Sequence, residues 1–422
     1  MTSARLLITF ILIFGGAVCL ADDLAQQDVI RLPSQYPEPG LTFGESDELP
    51  LPRTLLYSIG PDEAIADAEE WKRRGVDGFF LHGCAGEWSS DIWSTDGKPW
   101  TIGESDETFQ KAKRAAEVCQ RIGSDLFLLV TFHHFFEWFN DTAWQQIYHN
   151  FRQFAIFARD TGCKGIGLDI EYVYAQYFFT WDGYDYDGYT REDVVKKVRE
   201  RLTHVARAMY DEFPEMVLLT LPELEFTMGG HIQAVWVEEA ARRDAPGGIH
   251  YCMGYTYRNH NIRYVFARAW LNGTVFHKLL SKRARKYWEK RCSHSPGVWP
   301  FGMPDYIGHG PELTPEEFLH GMASSRMIAS RYMWIFGGDC QNQLLERNMD
   351  NYRREENIDD YLQVMAGREI VTTPKYLALA RQIRDMKSRD YTKDLGILLE
   401  PGLLGPGDDP VIRMLPSSPL SQ

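Results

Sequence analysis

The stretch Lys164-Gly165-Ile166-Gly167-Leu168-Asp169-Ile170-Glu171-Tyr172 decides how the chain is read. Side chains alternate across a strand, so Ile166, Leu168 and Ile170 share one face, suited to packing under helices. The opposite face carries Gly165, Gly167, Asp169 and Glu171. Two small residues leave room beneath, and two carboxylates stand at the C-terminal end. That is the expected inner wall of a parallel barrel, whose sites form at the C-terminal ends of the strands. Acids on such a wall are costly without a task. Two so close cannot both ionise freely, so one carboxyl is expected to rise toward the range a general acid needs.

The surrounding chain repeats the pattern. Apolar runs at Thr54–Ser58, Gly78–His82, Leu126–His133, Gly165–Glu171, Val217–Leu221, Ile249–Tyr255, Val298–Met303 and Tyr332–Phe336 read as strands. Between them, helical periods run over Asp62–Arg74, Phe109–Ile122, Trp144–Thr161, Arg191–Phe213, Val235–Arg243, a long stretch within Tyr264–Arg291, and Pro315–Ile328. The last opens on Thr314, Pro315 and Glu317, a capping-box start. Eight strands alternating with helices give an α/β fold, a (β/α)8 TIM barrel. Its rival, a doubly wound sheet, lacks a glycine-rich phosphate fingerprint after the first strand. Insertions follow strands 2 (Gly83–Asp106) and 4 (Val173–Tyr189), and residues 352–390 read as extra C-terminal helices.

The 422 residues, 44% apolar and 25% charged, are those of a globular chain with a large core. The net charge of −14 argues against nucleic acid or an anionic membrane as the main partner. Residues 1–21 read as a signal peptide: Arg5 is basic, Leu6–Phe14 is an apolar run too short for a span, and Cys19-Leu20-Ala21 offers a cleavage site. The expectation is a secreted or periplasmic protein with no membrane attachment after cleavage. Residues 22–52 form an extended lead-in, 53–395 the barrel, and 396–422 a flexible tail. The six cysteines beyond the signal permit disulfides. Asn140 and Asn272 begin glycosylation sequons.

Other strand ends bring His82, His133, Glu223, Glu225, Asp305, Asp339, Tyr172 and Trp88 to the same rim. The cleft is therefore rich in carboxylates and aromatics and poor in Lys and Arg, which suits a neutral, hydroxyl-rich ligand. No cofactor is implied. Asp182, Asp185 and Asp187 fail the EF-hand spacing. Neither H-E-x-x-H, a phosphate loop nor G-x-S-x-G occurs.

Lys164-Gly-Ile-Gly-Leu-Asp169-Ile-Glu171 resembles the D-G-x-D-x-D-x-E signature of family-18 glycoside hydrolases. The final D-x-E and the leading glycine match, while Lys164 and Gly167 replace the first and middle aspartates. Met253-Gly-Tyr255 is similar to that family's strand-6 element, and Trp334 to its strand-8 tryptophan beneath the sugar. The family's Ser-x-Gly-Gly motif on strand 3 has no match. The resemblance implies a barrel glycosidase in which Glu171 protonates the glycosidic oxygen. Asp169, helped by Tyr255, would orient a substrate 2-acetamido group that attacks the anomeric carbon.

A second mechanism needs no acetamido group. Glu171 is acid/base, and Asp305, Asp339, Glu223 or Glu225 supplies the second carboxylate, at about 5–5.5 Å for retention or about 6.5–9.5 Å for inversion. Two alternatives stay open: a non-catalytic carbohydrate-binding barrel, and a polysaccharide lyase or metal-dependent hydrolase using His82, His133 or His134.

Overall fold

A computed structural model describes residues 41–43, 51–131, 137–170, 188–221, 228–254, 256–257, 262–300, 313–336, 358–367, 370–372, 380–381, 384, 397–399 and 412–414. Eight parallel strands close into a barrel. In chain order they are β1 (Arg53–Ile59), β2 (Gly78–Leu81), β3 (Asp125–Val130), β4 (Gly165–Asp169), β5 (Val217–Leu221), β6 (Ile249–Met253), β7 (Ser293–Val298) and β8 (Tyr332–Phe336). Closure is made by β1 on β8, from Arg53 opposite Tyr332 to Tyr57 opposite Phe336. The (β/α)8 expectation holds.

The helices are α1 (Pro61–Arg73), α2 (Glu107–Arg121), α3 (Asp141–Asp160), α4 (Arg191–Glu212), α5 (Met228–Arg243), α6 (Ile262–Leu279), α7 (Lys282–Arg291), α8 (Pro315–Ile328) and α9 (Ile358–Ala366). The capping box expected at Thr314 forms: Glu317 N–H donates to Thr314 Oγ1 at 3.2 Å, and Thr314 N–H to Glu317 Oε2 at 2.8 Å. The single helix expected within Tyr264–Arg291 is two. Ser281 breaks it, its hydroxyl accepting from Ala284 N–H as the N-cap of α7. Outside the barrel, Leu41–Phe43 of the lead-in pairs antiparallel with Ile370–Thr372, and Ile397–Leu399 pairs with Ile412–Met414.

The seventh strand is a correction. Val298–Met303 was expected, but the strand is Ser293–Val298, five residues earlier; 301–303 lie outside the described residues. A polar run containing Pro296 and Gly297 argues against a central strand by pattern alone. Here smallness is the point, because Ser293, Ser295 and Gly297 take the inward positions.

Two apolar layers separate cleanly. Ile166, Leu168 and Ile170 join the layer between barrel and helices, as the alternation predicts. Inside the barrel, Leu55, Tyr57, Phe80, Phe127, Leu129, Val217, Leu219, Leu221, Cys252, Tyr332 and Trp334 form a second cluster. The room expected beneath the acids of β4 is not a hollow. A Cβ on Gly167 would lie 2.4 Å from Phe80 Cδ1 and 3.5 Å from Leu129 Cδ1, so those side chains fill the space. Opposite, a Cβ on Gly297 would lie 2.6 Å from the Trp334 ring. Large rings from β1, β2, β3 and β8 thus occupy volume that β4 and β7 leave empty.

The insertion after β2 is packed down rather than loose. It holds a 3-10 turn, Glu87–Trp93, and its Trp93 ring meets Phe151 of α3 edge-on at 4.6 Å. Buried Asn150 ties it in, accepting from Trp100 N–H at 2.8 Å and donating to the Ile92 and Ser94 carbonyls at 3.2 Å. The five described cysteines are buried and form no disulfide; Cys340 lies outside the described residues. Asn272 is wholly buried within α6, which closes that sequon to any glycan.

Gly167→Ala forces Phe80 off its position and should cost about 1–3 kcal/mol, read as a lower urea midpoint at unchanged slope. Burial, reinforced by Arg199, holds His231 at about 4, below its ordinary 6.5. The unfolded chain therefore binds the proton more tightly, and stability falls as pH drops from 6.5 toward 4. His231→Gln should flatten that part of a melting-temperature profile against pH.

Candidate active site

The mouth at the C-terminal ends of the strands is built on a contact between β1 and β4. Inward alternation along β1 places Tyr57 at the last inward position, and alternation along β4 does the same for Asp169. The Tyr57 hydroxyl donates to Asp169 Oδ2 across the barrel. Both residues are buried, Asp169 at 5% exposure and Tyr57 at 6%. A carboxylate so placed needs its hydrogen bonds met from within the protein, and a phenol on a facing strand meets one of them.

Around Tyr57 the floor is aromatic. Its ring lies 5.4 Å from Phe80, 5.5 Å from Trp334 and 5.3 Å from Phe336 between centroids. Trp334 is fully buried, its indole N–H donating to the Ser295 carbonyl at 2.9 Å. Tyr257 meets it edge-on at 4.8 Å and stacks on Phe336 at 5.9 Å, and Trp299 closes the group at 4.8 Å from Phe336. Tyr257 and Phe336 are half-buried, so this part of the aromatic wall reaches solvent. Thr256 fixes the wall: its hydroxyl donates toward the Met253 or Gly297 carbonyl, 2.9 and 2.8 Å away, and accepts from Gly297 N–H at 3.1 Å. That single side chain joins the ends of β6 and β7.

On the other side of Tyr57, β1 carries an irregularity. Leu56 pairs with Phe79 but Ile59 with Leu81, so β1 spends an extra residue there. Ser58 takes it up at φ +66°, a costly conformation for a side-chain-bearing residue. The bulge turns the buried Ser58 hydroxyl onto His82 Nδ1 at 2.7 Å. Burial pulls the His82 imidazole below its usual range while Glu63 works the other way. His82 is therefore held mainly neutral at pH 7, with Ser58 bound to one of its two nitrogens.

Of the residues expected at the rim, the structure brings Asp169 and Trp334 against Tyr57, and His82 against the adjacent Ser58. Trp88 lies in the turn Glu87–Trp93, whose place is given by its backbone. Glu171, Tyr172, His133, His134, Glu223, Glu225, Tyr255, Asp305 and Asp339 lie outside the described residues. Among the described residues, no group of three His, Cys, Asp or Glu side chains could hold a metal ion. Tyr57, Thr256, Tyr257 and Trp299 were missed by sequence reasoning. The signal for Tyr57 was present in the period-two face Arg53, Leu55, Tyr57. For Thr256 and Tyr257 no sequence period marks a turn that acquires its role only from β7.

No family profile and no curated protein matches the sequence. Among solved structures, the chain is similar to a GH18 chitinase from Pseudoalteromonas aurantia, with 14% identity, a TM-score of 0.39, and coverage of 67% of this chain and 93% of that one. It is similar to a GH5_18 protein from Streptomyces cattleya in complex with Manb1-4GlcNAc, at 14% identity, TM-score 0.43 and coverage of 79% and 80%. A beta-galactosidase from the psychrophilic Marinomonas ef1 matches at 8% identity, TM-score 0.43 and coverage of 74% and 59%. The neighbours are thus glycoside hydrolases of several families.

Tyr57→Phe keeps the ring and its aromatic neighbours but removes the hydroxyl from a buried carboxylate. It should lower unfolding free energy by about 1.5–3 kcal/mol in urea titration. A change under about 0.5 kcal/mol would mean that this contact does not hold Asp169.

Proposed function

We propose that the protein is an exported glycoside hydrolase that cleaves a polysaccharide or glycan at the C-terminal mouth of the barrel, with Glu171 as the proton donor to the glycosidic oxygen. The observation that carries this reading is the buried Asp169 carboxylate, held by Tyr57 at the foot of an aromatic wall two residues before Glu171. Aromatic faces stack on the C–H faces of sugar rings, and carboxylates accept from sugar hydroxyls. The half-buried Tyr257 and Phe336 rings supply such faces, Phe336 lying 5.3 Å from the Tyr57 ring that holds the acid.

Gly167 bears on the mechanism. In the family-18 signature its place belongs to an aspartate, the neighbour that shares charge and protons with the acid above it. Here Phe80 occupies that volume and Asp169 accepts from the Tyr57 phenol. Asp169 keeps a fixed orientation, which suits positioning of a 2-acetamido group or a sugar hydroxyl. Glu171 then works with that group or with a second carboxylate drawn from Asp305, Asp339, Glu223 and Glu225. The leader at residues 1–21 supports a secreted or periplasmic location, with carbohydrate as the partner.

The filled space at Gly167 also favours a second reading, a carbohydrate-binding barrel without turnover. One pair of measurements separates the two. Wild-type protein should release reducing ends from a glycan panel that includes N-acetylated and non-acetylated polymers. Glu171→Gln should lower kcat by about 10²–10⁴-fold while melting temperature and glycan binding persist. Full activity in that variant removes Glu171 from the mechanism; glycan binding without product in wild type transfers the assignment to the binding barrel.

A further inference from the structure

The helix α7, Lys282-Arg-Ala-Arg-Lys-Tyr-Trp-Glu-Lys-Arg291, carries six basic residues and one acid in a chain whose net charge is −14. It borders a groove of about 680 Å³ shared with the C-terminal turn of α5. Lys282, Arg283, Lys286 and Lys290 line it, with Asp244 the one carboxylate among the lining residues. The lysines recur every four residues, so they fall on one side of the helix and span about 12 Å along it.

The state of these charges sets them apart from the basic residues beside them. On α5, Arg242 and Arg243 are paired with the buried Glu239 at 2.5 and 2.9 Å, which Arg207 shares at 3.4 Å, and Arg243 also meets Asp211 at 2.6 Å. Arg283 is committed to the end of α5, donating to the Ala241 and Arg242 carbonyls at 2.9 and 2.8 Å. Lys282, Lys286 and Lys290 are exposed and form no ion pair among the described residues. Three ammonium groups thus line one concave surface against the single carboxylate of Asp244, an excess of positive charge.

We infer that this groove binds an anionic polysaccharide, a chain bearing sulfate or carboxylate groups, at a site separate from the mouth. α5 runs antiparallel to the strands, so its last turn and Asp244 sit at the N-terminal end of the barrel, opposite the end that holds Asp169. The shape and chemistry of the groove choose among polyanions. The net charge of −14 disfavours the extended anionic face of a membrane or a duplex, whereas a single flexible chain needs only the length of the lysine row. Single-stranded nucleic acid needs stacking platforms. Tyr287, the one aromatic side chain lining the groove, is buried and its hydroxyl is bound to the Ala245 carbonyl at 2.7 Å. Acidic peptides are recognised by arginine clusters, and the one arginine lining this groove, Arg283, is committed to the Ala241 and Arg242 carbonyls. A polysaccharide asks for charges and hydroxyl contacts alone. The inference stands apart from the reading of the mouth and holds whether or not glycosidic bonds are cut there.

The test uses the full protein and labelled dextran sulfate, with neutral dextran of equal length as control, followed by fluorescence anisotropy. Wild type should bind dextran sulfate and not dextran. Binding should weaken about tenfold or more between 50 and 200 mM salt, as expected for about three released counterions. Lys282→Gln/Lys286→Gln/Lys290→Gln should weaken it at least about tenfold, and Lys286→Gln alone by about threefold, with melting temperature unchanged. The control Lys98→Gln/Lys113→Gln/Lys196→Gln removes the same net charge at exposed sites elsewhere and should leave affinity within about twofold. Absence of wild-type binding at low salt, or equal losses in the two triple variants, overturns the site. Tighter binding of oligo-dT, polyglutamate or phosphatidylserine vesicles than of dextran sulfate overturns the assigned partner.

Discussion

The structure depends on an exchange of volume inside the barrel. A closed ring of eight strands has room for a limited set of inward side chains. Here Tyr57, Phe80, Phe127, Tyr332 and Trp334 from four adjacent strands take most of it. They fit because β4 offers Gly165 and Gly167, and β7 offers Ser293, Ser295 and Gly297. The small residues also serve the large ones' polar atoms. The Ser295 carbonyl takes the Trp334 indole N–H, and the Ser295 hydroxyl donates to the Tyr332 carbonyl at 2.9 Å. Remove the asymmetry and neither the ring of strands nor the aromatic floor can be kept.

The mouth inherits its character from that floor. Tyr57 is at once the upper member of the interior cluster and the hydrogen-bond donor to Asp169, so the packing that closes the barrel also orients the acid. The bulge beside it, with Ser58 held at positive φ, aims a hydroxyl at His82. Strain of this kind persists only where surrounding structure over-determines it. The packing supplies that support on both sides of Ser58, through Tyr57 in the interior cluster and Ile59 in the layer under the helices. The opposite end of the molecule differs in chemistry: its lysine groove stands on helix surface and not on inward strand positions.

Much of this was legible along the chain. Eight alternations of strand and helix gave the barrel, because periods of two and 3.6 are local properties. The inward face Gly165, Gly167, Asp169 was read correctly for the same reason. The cap at Thr314 was readable from three residues. What misled was the assumption that strands are apolar, which moved β7 by five residues. Glycines beneath an acid were read as vacancy, but a neighbouring strand's Phe80 fills the gap. The break at Ser281 does not show in the apolar period; its hydroxyl caps α7 locally, and the Glu238 carboxylate takes the Ser281 N–H and hydroxyl at 2.6 and 2.8 Å.

By itself, then, the amino-acid order determined which residues share a face, how many strands close the barrel and that Asp169 stands at the end of the fourth. Each of those follows from geometry within a few residues. Only the tertiary structure decided that Tyr57 donates to Asp169, that Phe80 displaces any acid from position 167, and that Thr256 joins two strand ends. Those contacts link residues 112, 87 and 41 positions apart. No local period encodes them, because they arise from which side chains the closed ring forces to compete for one interior volume.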